Sequence, residues 1–543
     1  MINNRNSWCV PVALFGLLAA VTIAARPLLP MDETRYLAVA WEMWRRGDFL
    51  VPYLNGEPYS HKPPLLFWGM HVGWALFGVN DWWPRLVAPI AGLASLLLTI
   101  RLGKMLWPNL PMVGQTAAML VLGALFWTLF TTMTMFDMLH AMFALSGLCG
   151  IVLAARGRAL MGFSLFAASI GLGILGKGPA ILVHLLPVAL AAPVWARRLD
   201  YTGGWAQWYG GIVAGVLVGA AIGLAWALPA ASAGGEEYRN AILWGQSAGR
   251  MVNSFAHGRP FWWFAAILPG MLLPWMIWPA AWRAVWRRKG ELGDAGVRIC
   301  LIWFAGGFLV FSAISGKQPH YLVPEIPALG LLLAFALLRA TAETESCFWR
   351  PLDRIIPAGL FFAVAAAIAA AFHFDLKPSW ATSAGDAQLW PLAGLVLFIG
   401  GFLWRNGGGV FRRVSAMAGL SVAAVIAVHV TFRPMMLESH DFRSFSETLK
   451  RYEGDGYAFV TFGKYHGQFH FLGRLTEPFG VVDGPVALDV WLKNHPKALI
   501  VALHETLENE KAPVASTRFR GRVIGAWRSD EYPPRVARLK VAD

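Results

Sequence analysis

Reactive or charged side chains gather in this sequence where apolar stretches end: Asp32, Glu33, Lys62, Arg85, Asp137, Lys177, Arg250, Arg259, Lys317, His320 and Tyr321. Lysine offers a phosphate a mobile point charge, and arginine a planar fork. Cations brought by separate loops would neutralise a lipid phosphate and stabilise it as a leaving group. A carboxylate beside them could serve as general base, or hold an ammonium group or a metal. Asp137 falls between two apolar stretches, and an ionisable residue near such a position is a functional candidate by default. The sequence contains no Walker-type Gly-rich loop. The energy for a group transfer would then arrive with an activated lipid.

The elements that must position these groups follow from composition. The chain has 543 residues, of which 57% are hydrophobic and 14% charged, against roughly a quarter charged in soluble domains. The apolar excess falls in stretches of about 20 residues, the length that crosses a hydrocarbon core. Spans are predicted near residues 8–29, 84–106, 111–133, 138–155, 159–176, 178–195, 208–229, 263–283, 297–315, 321–339, 355–374, 389–405 and 413–432. The net charge of +14 invites a nucleic-acid reading. Most Lys and Arg, however, follow the even-numbered spans, as in Arg101 with Lys104, Arg156 with Arg158, Arg197 with Arg198, and Arg412 with Arg413. That is the positive-inside pattern. It puts the N-terminus in the cytoplasm and three longer segments outside: residues 30–83, residues 230–262 and everything after 432. The stretch Trp8–Ala25 reads as a retained first helix that doubles as export signal. Cys9, Cys149, Cys300 and Cys347 have no metal-ligand spacing, so disulfides and a cysteine nucleophile are not expected.

The expected fold class is therefore a polytopic α-helical membrane protein with about thirteen transmembrane helices and a small C-terminal α/β domain. The transmembrane domain covers residues 1–432 and the soluble domain 433–543. In the first outer loop, Leu37, Trp41 and Trp44 recur at helical spacing among charges, which predicts a helix from Glu33 to Arg46 lying in the interface plane. Asn55–Gly56–Glu57–Pro58 breaks the chain, and Lys62–Pro63–Pro64 forces an extended segment. Leu65–Phe77 is too short to span comfortably and reads as re-entrant or interfacial. In the tail, Phe442, Phe445, Leu449 and Tyr452 mark a helix face. Tyr457–Phe462, Leu499–Leu503 and Val523–Trp527 read as strands.

Four motifs carry a resemblance. They are Met31–Asp32–Glu33–Thr34–Arg35–Tyr36, His61–Lys62–Pro63–Pro64–Leu65, Leu175–Gly176–Lys177–Gly178–Pro179, and the run from Ser315 to Pro324 that reads SGKQPHYLVP. Over about residues 8–340 the chain resembles the polyprenyl-phosphate-sugar-dependent glycosyltransferases of the GT-C fold. Within that group it is similar to the bacterial lipid A 4-amino-4-deoxy-L-arabinose transferases and the protein-mannosyltransferase-like family. The resemblance implies that Asp32 is the loop carboxylate at the catalytic centre and Asp137 the second carboxylate. It implies that Lys62 contacts the carrier-lipid phosphate with Arg250 as its partner, and that Lys317 and Tyr321 adjoin that phosphate. Two departures stand. His61 replaces the glutamate that precedes Lys-Pro-Pro in the aminoarabinose transferases, and Leu243–Trp244–Gly245–Gln246–Ser247 replaces a histidine-rich segment. Both count against a bound metal, with His61 as its one remaining ligand, and against aminoarabinose as the sugar.

Blander roles compete for the same residues. Asp32 could cap the helix that starts at Glu33, Asp137 could cap the fourth span, and the lysines could snorkel. Arg85 and Arg259 read as lipid-headgroup anchors, His61 as a surface histidine, and Trp82–Trp83 as interfacial belt. Taken jointly, the resemblance implies an inverting glycosyltransferase of a bacterial inner membrane, active on the periplasmic face. It would move a sugar from undecaprenyl phosphate to lipid A or another cell-surface glycan. The alternatives are a galacturonic acid or hexose transferase and, in another class, a lipid-linked-sugar transporter. No cofactor is required, and a divalent metal stays open. The expected partners are the lipid-linked donor, the acceptor and membrane lipids, with no nucleic acid and a monomeric chain.

Overall fold

The structure, a computed structural model, describes residues 7–243, 258–342, 348–374, 376, 388–404, 407–505 and 512–532. Among the described residues, length and apolar composition single out eight helices able to cross a membrane: Pro84–Leu106, Asp137–Ala155, Ala159–Lys177, Trp205–Ala233, Ala295–Ala313, Pro319–Ala342, Leu352–His373 and the long helix from Val410. Up to nine result if Ile181–Leu190 and Ala192–Leu199, bent by 52°, form one span. Pro187 and Pro193 flank that bend, and each lacks the amide hydrogen that continues a helical ladder.

The expected count of about thirteen is not what length and composition give. The four remaining stretches form helices of 17, 11, 9 and 15 residues: Cys9–Ala25, Val113–Gly123, Trp263–Met271 and Trp390–Trp404. At about 1.5 Å per residue even the longest falls short of a hydrocarbon core of about 30 Å. The stretch expected at 111–133 breaks where Ala124 turns extended, and the freed amide of Leu125 donates to the carbonyl of Leu273 at 2.8 Å. Prolines 269, 274 and 279 cut the stretch expected at 263–283 into a helix, a 3-10 turn at Trp275–Ile277 and a second helix at Pro279–Arg287. Cys9, Cys149 and Cys300 are free thiols, and Cys347 lies outside the described residues.

Most of the segment expected to form the first outer loop, residues 30–83, folds as its pattern predicts. A helix runs from Glu33 to Arg46 and stops at Gly47, whose φ of +67° is the left-handed conformation that glycine adopts without cost. Two short strands, β1 (Tyr53–Leu54) and β2 (Glu57–Pro58), pair across Asn55–Gly56. Both turn residues have positive φ, the condition for a tight hairpin. The helix Leu65–Phe77 follows.

The last membrane helix, Val410–His440, continues past the expected boundary at 432. Beyond it, helix Arg443–Gly454 leads into a five-stranded sheet. Its strands are β3 (Ala458–Phe462), β4 (Gly480–Val482), β5 (Ala498–His504), β6 (Ala515–Phe519) and β7 (Arg522–Arg528), in the order β4-β3-β5-β7-β6. β3 lies parallel to β4 and β5, and β7 runs antiparallel to β5 and β6. The sheet is covered on both faces, as the two-residue period requires. Phe459, Leu499 and Val501 pack with Phe445 and Leu449 on one side. Val460 and Ile500 pack with Leu488 on the other.

This small domain is fastened to the first outer loop. The side chain of Asn55 donates to the carbonyl of Phe479 at 2.9 Å and accepts from its amide at 2.8 Å. The Trp41 indole donates to the Leu475 carbonyl at 2.9 Å. Trp74 stacks on Phe471 with ring centroids 5.4 Å apart, and Arg443 pairs with Asp81 at 2.8 Å.

Candidate active site

The segment ahead of the Leu65 helix bends rather than running extended as expected, with Pro64 already in helical backbone geometry (φ −83°, ψ −13°), and it sets Lys62 on the wall of a cavity of about 510 Å³. Helix Ala159–Lys177 delivers Lys177 to the same cavity at its last residue, and the turn after helix Ala295–Ala313 delivers His320 and Tyr321. His61 lines it too. The remaining wall is largely apolar, with Ile174, Leu224, Phe311 and Ile314 among its residues. A phosphate would meet cations at one end and an isoprenoid chain would meet hydrocarbon along the side.

Asp137 opens helix Asp137–Ala155 and is 2% exposed. Its carboxylate accepts a charge-assisted hydrogen bond from Lys177 Nζ. That ammonium also lies 4.6 Å from the Tyr321 ring centroid, and Lys62 Nζ lies 5.5 Å from the ring of Phe136, the residue preceding Asp137. His320 stacks on Phe130 at 5.5 Å. Lys62, Lys177, Asp137, His61 and Tyr321 are thus brought together from four segments.

Asp32 stands apart from the cavity wall, on the end of the interface helix. Its side chain is 48% exposed and pairs with Arg35 at 2.6 Å. It makes no side-chain capping bond, so the capping role leaves no trace in the geometry. The preceding Met31 has a φ of 79°, an uncommon conformation for a side-chain-bearing residue and the kind of local strain that gathers at functional sites. The C-terminal domain comes close here: a Cβ on Gly467 would lie 2.9 Å from that of Ala38. Burial, then the charges of Arg35 and Lys464, hold the neighbouring His466 imidazole below its usual range against the opposing pull of Asp32.

Two expectations change, and a third falls outside the described residues. Lys317 is 3% exposed and donates to the carbonyls of Arg259, at 3.0 Å, and Ile314. It ties the turn bridged at Gly258 and Gly316 and is not among the residues of the cavity wall. Arg85 is no headgroup anchor: it is 8% exposed and donates to the Arg26 carbonyl at 2.8 Å. Arg250 lies outside the described residues. His61 packs edge-on to Tyr59 at 5.3 Å. Among the described residues no three His, Cys, Asp or Glu side chains gather as a metal group.

Two groupings were not anticipated. The first centres on Glu33, fully buried, whose carboxylate accepts from both terminal nitrogens of Arg26, from the Leu29 amide at 2.9 Å and from the Thr134 amide at 2.7 Å. It thereby joins the segment bearing Asp32 to the segment leading into Asp137. The second is His140, His184 and Glu325, buried at the ends of membrane helices near Lys62. An ionisable residue inside an apolar run is the signal that could have found them.

Residues 61–226 match the family model described as dolichyl-phosphate-mannose-protein mannosyltransferase. The chain is 29% identical over 384 residues to the undecaprenyl phosphate-alpha-4-amino-4-deoxy-L-arabinose arabinosyl transferase of Pseudomonas paraeruginosa, covering 68% of this chain and 66% of that one. It is 30% identical over 344 residues to the enzyme of the same name from Edwardsiella ictaluri, covering 62% and 60%. The match thus spans just under two thirds of these relatives' length. In three dimensions it superposes on ArnT from Cupriavidus metallidurans, solved with undecaprenyl phosphate, with a TM-score of 0.72 and 20% identity over 97% of this chain and 99% of that one. The apo form of the same protein gives a TM-score of 0.70. By fold and by sequence, this multi-pass membrane protein is of the GT-C type and similar to the undecaprenyl-phosphate-dependent arabinosyl transferases.

Proposed function

We propose that the chain is an inverting glycosyltransferase that takes a sugar, 4-amino-4-deoxy-L-arabinose on the strength of its named relatives, from undecaprenyl phosphate. The acceptor is lipid A or another cell-surface glycan, and the reaction runs on the periplasmic face of a bacterial inner membrane. The observation that carries this reading is the single cavity in which Lys62, Lys177 and Tyr321 meet, with Asp137 behind Lys177 and an apolar wall beside them.

The acceptor oxygen attacks the anomeric carbon from the face opposite the phosphate. The bond from that carbon to the phosphate oxygen breaks, and the departing phosphate takes its electron pair. Lys62 and Lys177 stabilise the charge that develops there. Asp137 holds Lys177 in place through their ion pair. Asp32, exposed beside the loop, receives the acceptor's proton when that acceptor is a hydroxyl. A phosphate monoester is mostly dianionic at neutral pH and needs less help. The soluble domain, from the end of helix Val410–His440 onward, lies on the periplasmic side with residues 30–83.

The test is transfer from undecaprenyl-phosphate-linked sugar, read by mass spectrometry of lipid A and surface glycans with and without this protein. Lys62→Ala should reduce transfer roughly 30-fold or more, since losing a hydrogen-bonded charge costs about 2–5 kcal/mol. Lys62→Arg should recover only part, because a fork does not replace a point charge. Wild-type turnover in Lys62→Ala at normal expression removes this residue from the site.

A further inference from the structure

The wall of the donor cavity carries two histidines that the phosphate chemistry does not use. These, His140 and His184, are both 1% exposed. Neither ring nitrogen of His140 makes a well-formed hydrogen bond, although the backbone of Ala180 approaches the ring. The His184 ring meets it edge-on, with centroids 4.9 Å apart and planes at 74°. His184 Nδ1 lies 2.5 Å from Glu325 Oε1, and the other carboxylate oxygen is unpartnered. Gly307 makes room for that carboxylate: a Cβ there would run into it. The contact at Nδ1 fixes the imidazole plane and leaves Nε2 as the other polar edge of the ring, the usual consequence of a carboxylate behind a histidine.

We propose that His140 and His184, backed by Glu325, form the subsite that recognises the hydroxyl or amino groups of the donor's sugar while Lys62 and Lys177 hold its phosphate. This rests on the donor reading above and names the part of the donor each group serves. The spacing suits it. His140 follows Asp137 by three residues on one helix, so the two project from the same face about one turn, roughly 5.4 Å, apart. A pyranose ring has about that width. Energetics point the same way. A buried polar atom without a partner costs about 1–3 kcal/mol, and an isoprenoid chain could not relieve it. Sugar hydroxyls and amines can, because they both donate and accept. The three residues also lie near the outer ends of their spans, where a sugar attached to a surface phosphate would sit, and not at the midplane where a transporter places ionisable groups.

The experiment measures affinity of the purified full-length protein for bare undecaprenyl phosphate and for undecaprenyl phosphate carrying 4-amino-4-deoxy-L-arabinose, galacturonic acid or a hexose. Wild type should prefer one sugar-bearing lipid over the bare one. His140→Phe and His184→Phe should weaken binding of that lipid about tenfold, the worth of a hydrogen bond or two, and leave the bare lipid within about twofold. Glu325→Gln, which keeps shape and volume, should give a smaller loss of the same selectivity and decides the matter should a histidine variant not fold. Variants that lose both lipids equally, or lose neither, overturn the subsite while leaving the donor reading intact. A wild-type protein that binds none of these lipids overturns the donor reading itself.

Discussion

Glu33→Gln removes one charge from a buried ion pair and leaves the shape of the side chain in place. The side chains of Arg26 and Glu33 are 1% and 0% exposed, so solvent cannot take over from either partner. Burial alone would raise the Glu33 pKa, but Arg26, its hydrogen bonds, Arg85 and the Leu29 amide bring it down from 4.5 to about 2. The folded value lies below the unfolded one. The stabilisation is therefore fully present above about pH 4.5 and is lost as pH falls through about 2. A depression of that size is worth about 3 kcal/mol, and breaking a buried pair by removing one partner costs about 3–5 kcal/mol. Both routes give the same order. The assay is reversible unfolding of the purified protein in mixed micelles, on wild type, Glu33→Gln, Arg26→Gln and the double variant. Each single variant should lose about 3 kcal/mol or more at neutral pH, and the double variant should lose less than their sum. The gap between wild type and Glu33→Gln should close as the medium is acidified. A single variant within about 0.5 kcal/mol of wild type, the scatter of an ordinary surface change, refutes the reasoning. So does a gap that does not change with pH.

Asp32→Asn should insert and remain stable, since the aspartate makes no capping bond to lose, yet its transfer rate should fall about 100- to 10,000-fold. Near-normal transfer would leave Asp137 as the carboxylate to test. In a background without native cysteines, Cys at Ser60 and at the exposed Ser444 should react with an impermeant thiol reagent applied from outside. Cys at the exposed Arg198 and Lys289 should not, and a reversed pattern would invert the proposed orientation. Asn55→Ala removes both hydrogen bonds to Phe479. It should loosen the C-terminal domain by about 1–3 kcal/mol, seen as faster hydrogen exchange in β3 and β4, whereas unchanged exchange would show that the aromatic contacts hold the domain alone.

Local elements were legible where one segment carries its own signal. The interface helix was readable from Glu33 to Arg46 because an amphipathic period ends at a glycine that stops it. The strands around Phe459, Ile500 and Ala526 were readable from their apolar runs, while β4 and β6 were too short or too polar to stand out. Hydropathy found the apolar stretches but not their breaks at Ala124 or Ala191, because composition does not report the direction of a helix axis. At the site, motif resemblance supplied Lys62 and Asp137. It did not supply the Lys177–Asp137 pair, the Glu33 junction or the His140–His184–Glu325 grouping. Each joins residues 40 to 141 positions apart, a relation no local pattern encodes. Lys317 shows the converse: its motif resembles a phosphate ligand, yet its ammonium is spent on the Ile314 carbonyl of its own turn and the Arg259 carbonyl of the segment bridged to it.

The fastening of the C-terminal domain to the first outer loop bears on how the protein is made. Asn55 and Phe479 are separated by 424 residues, and Trp41 and Leu475 by 434. Chains emerge from the ribosome N-terminus first, so the loop bearing Asp32 and Lys62 is made long before the segment that clamps it has been translated. Throughout that interval Trp41, Trp74 and the Asn55 turn face water or lipid with nothing seated on them. A chain stalled or cleaved ahead of Phe479 would keep every side chain placed at the chemistry and still lack the brace that holds their loop. The braced loop therefore depends on completed synthesis, and unfinished copies would leave these tryptophans uncovered.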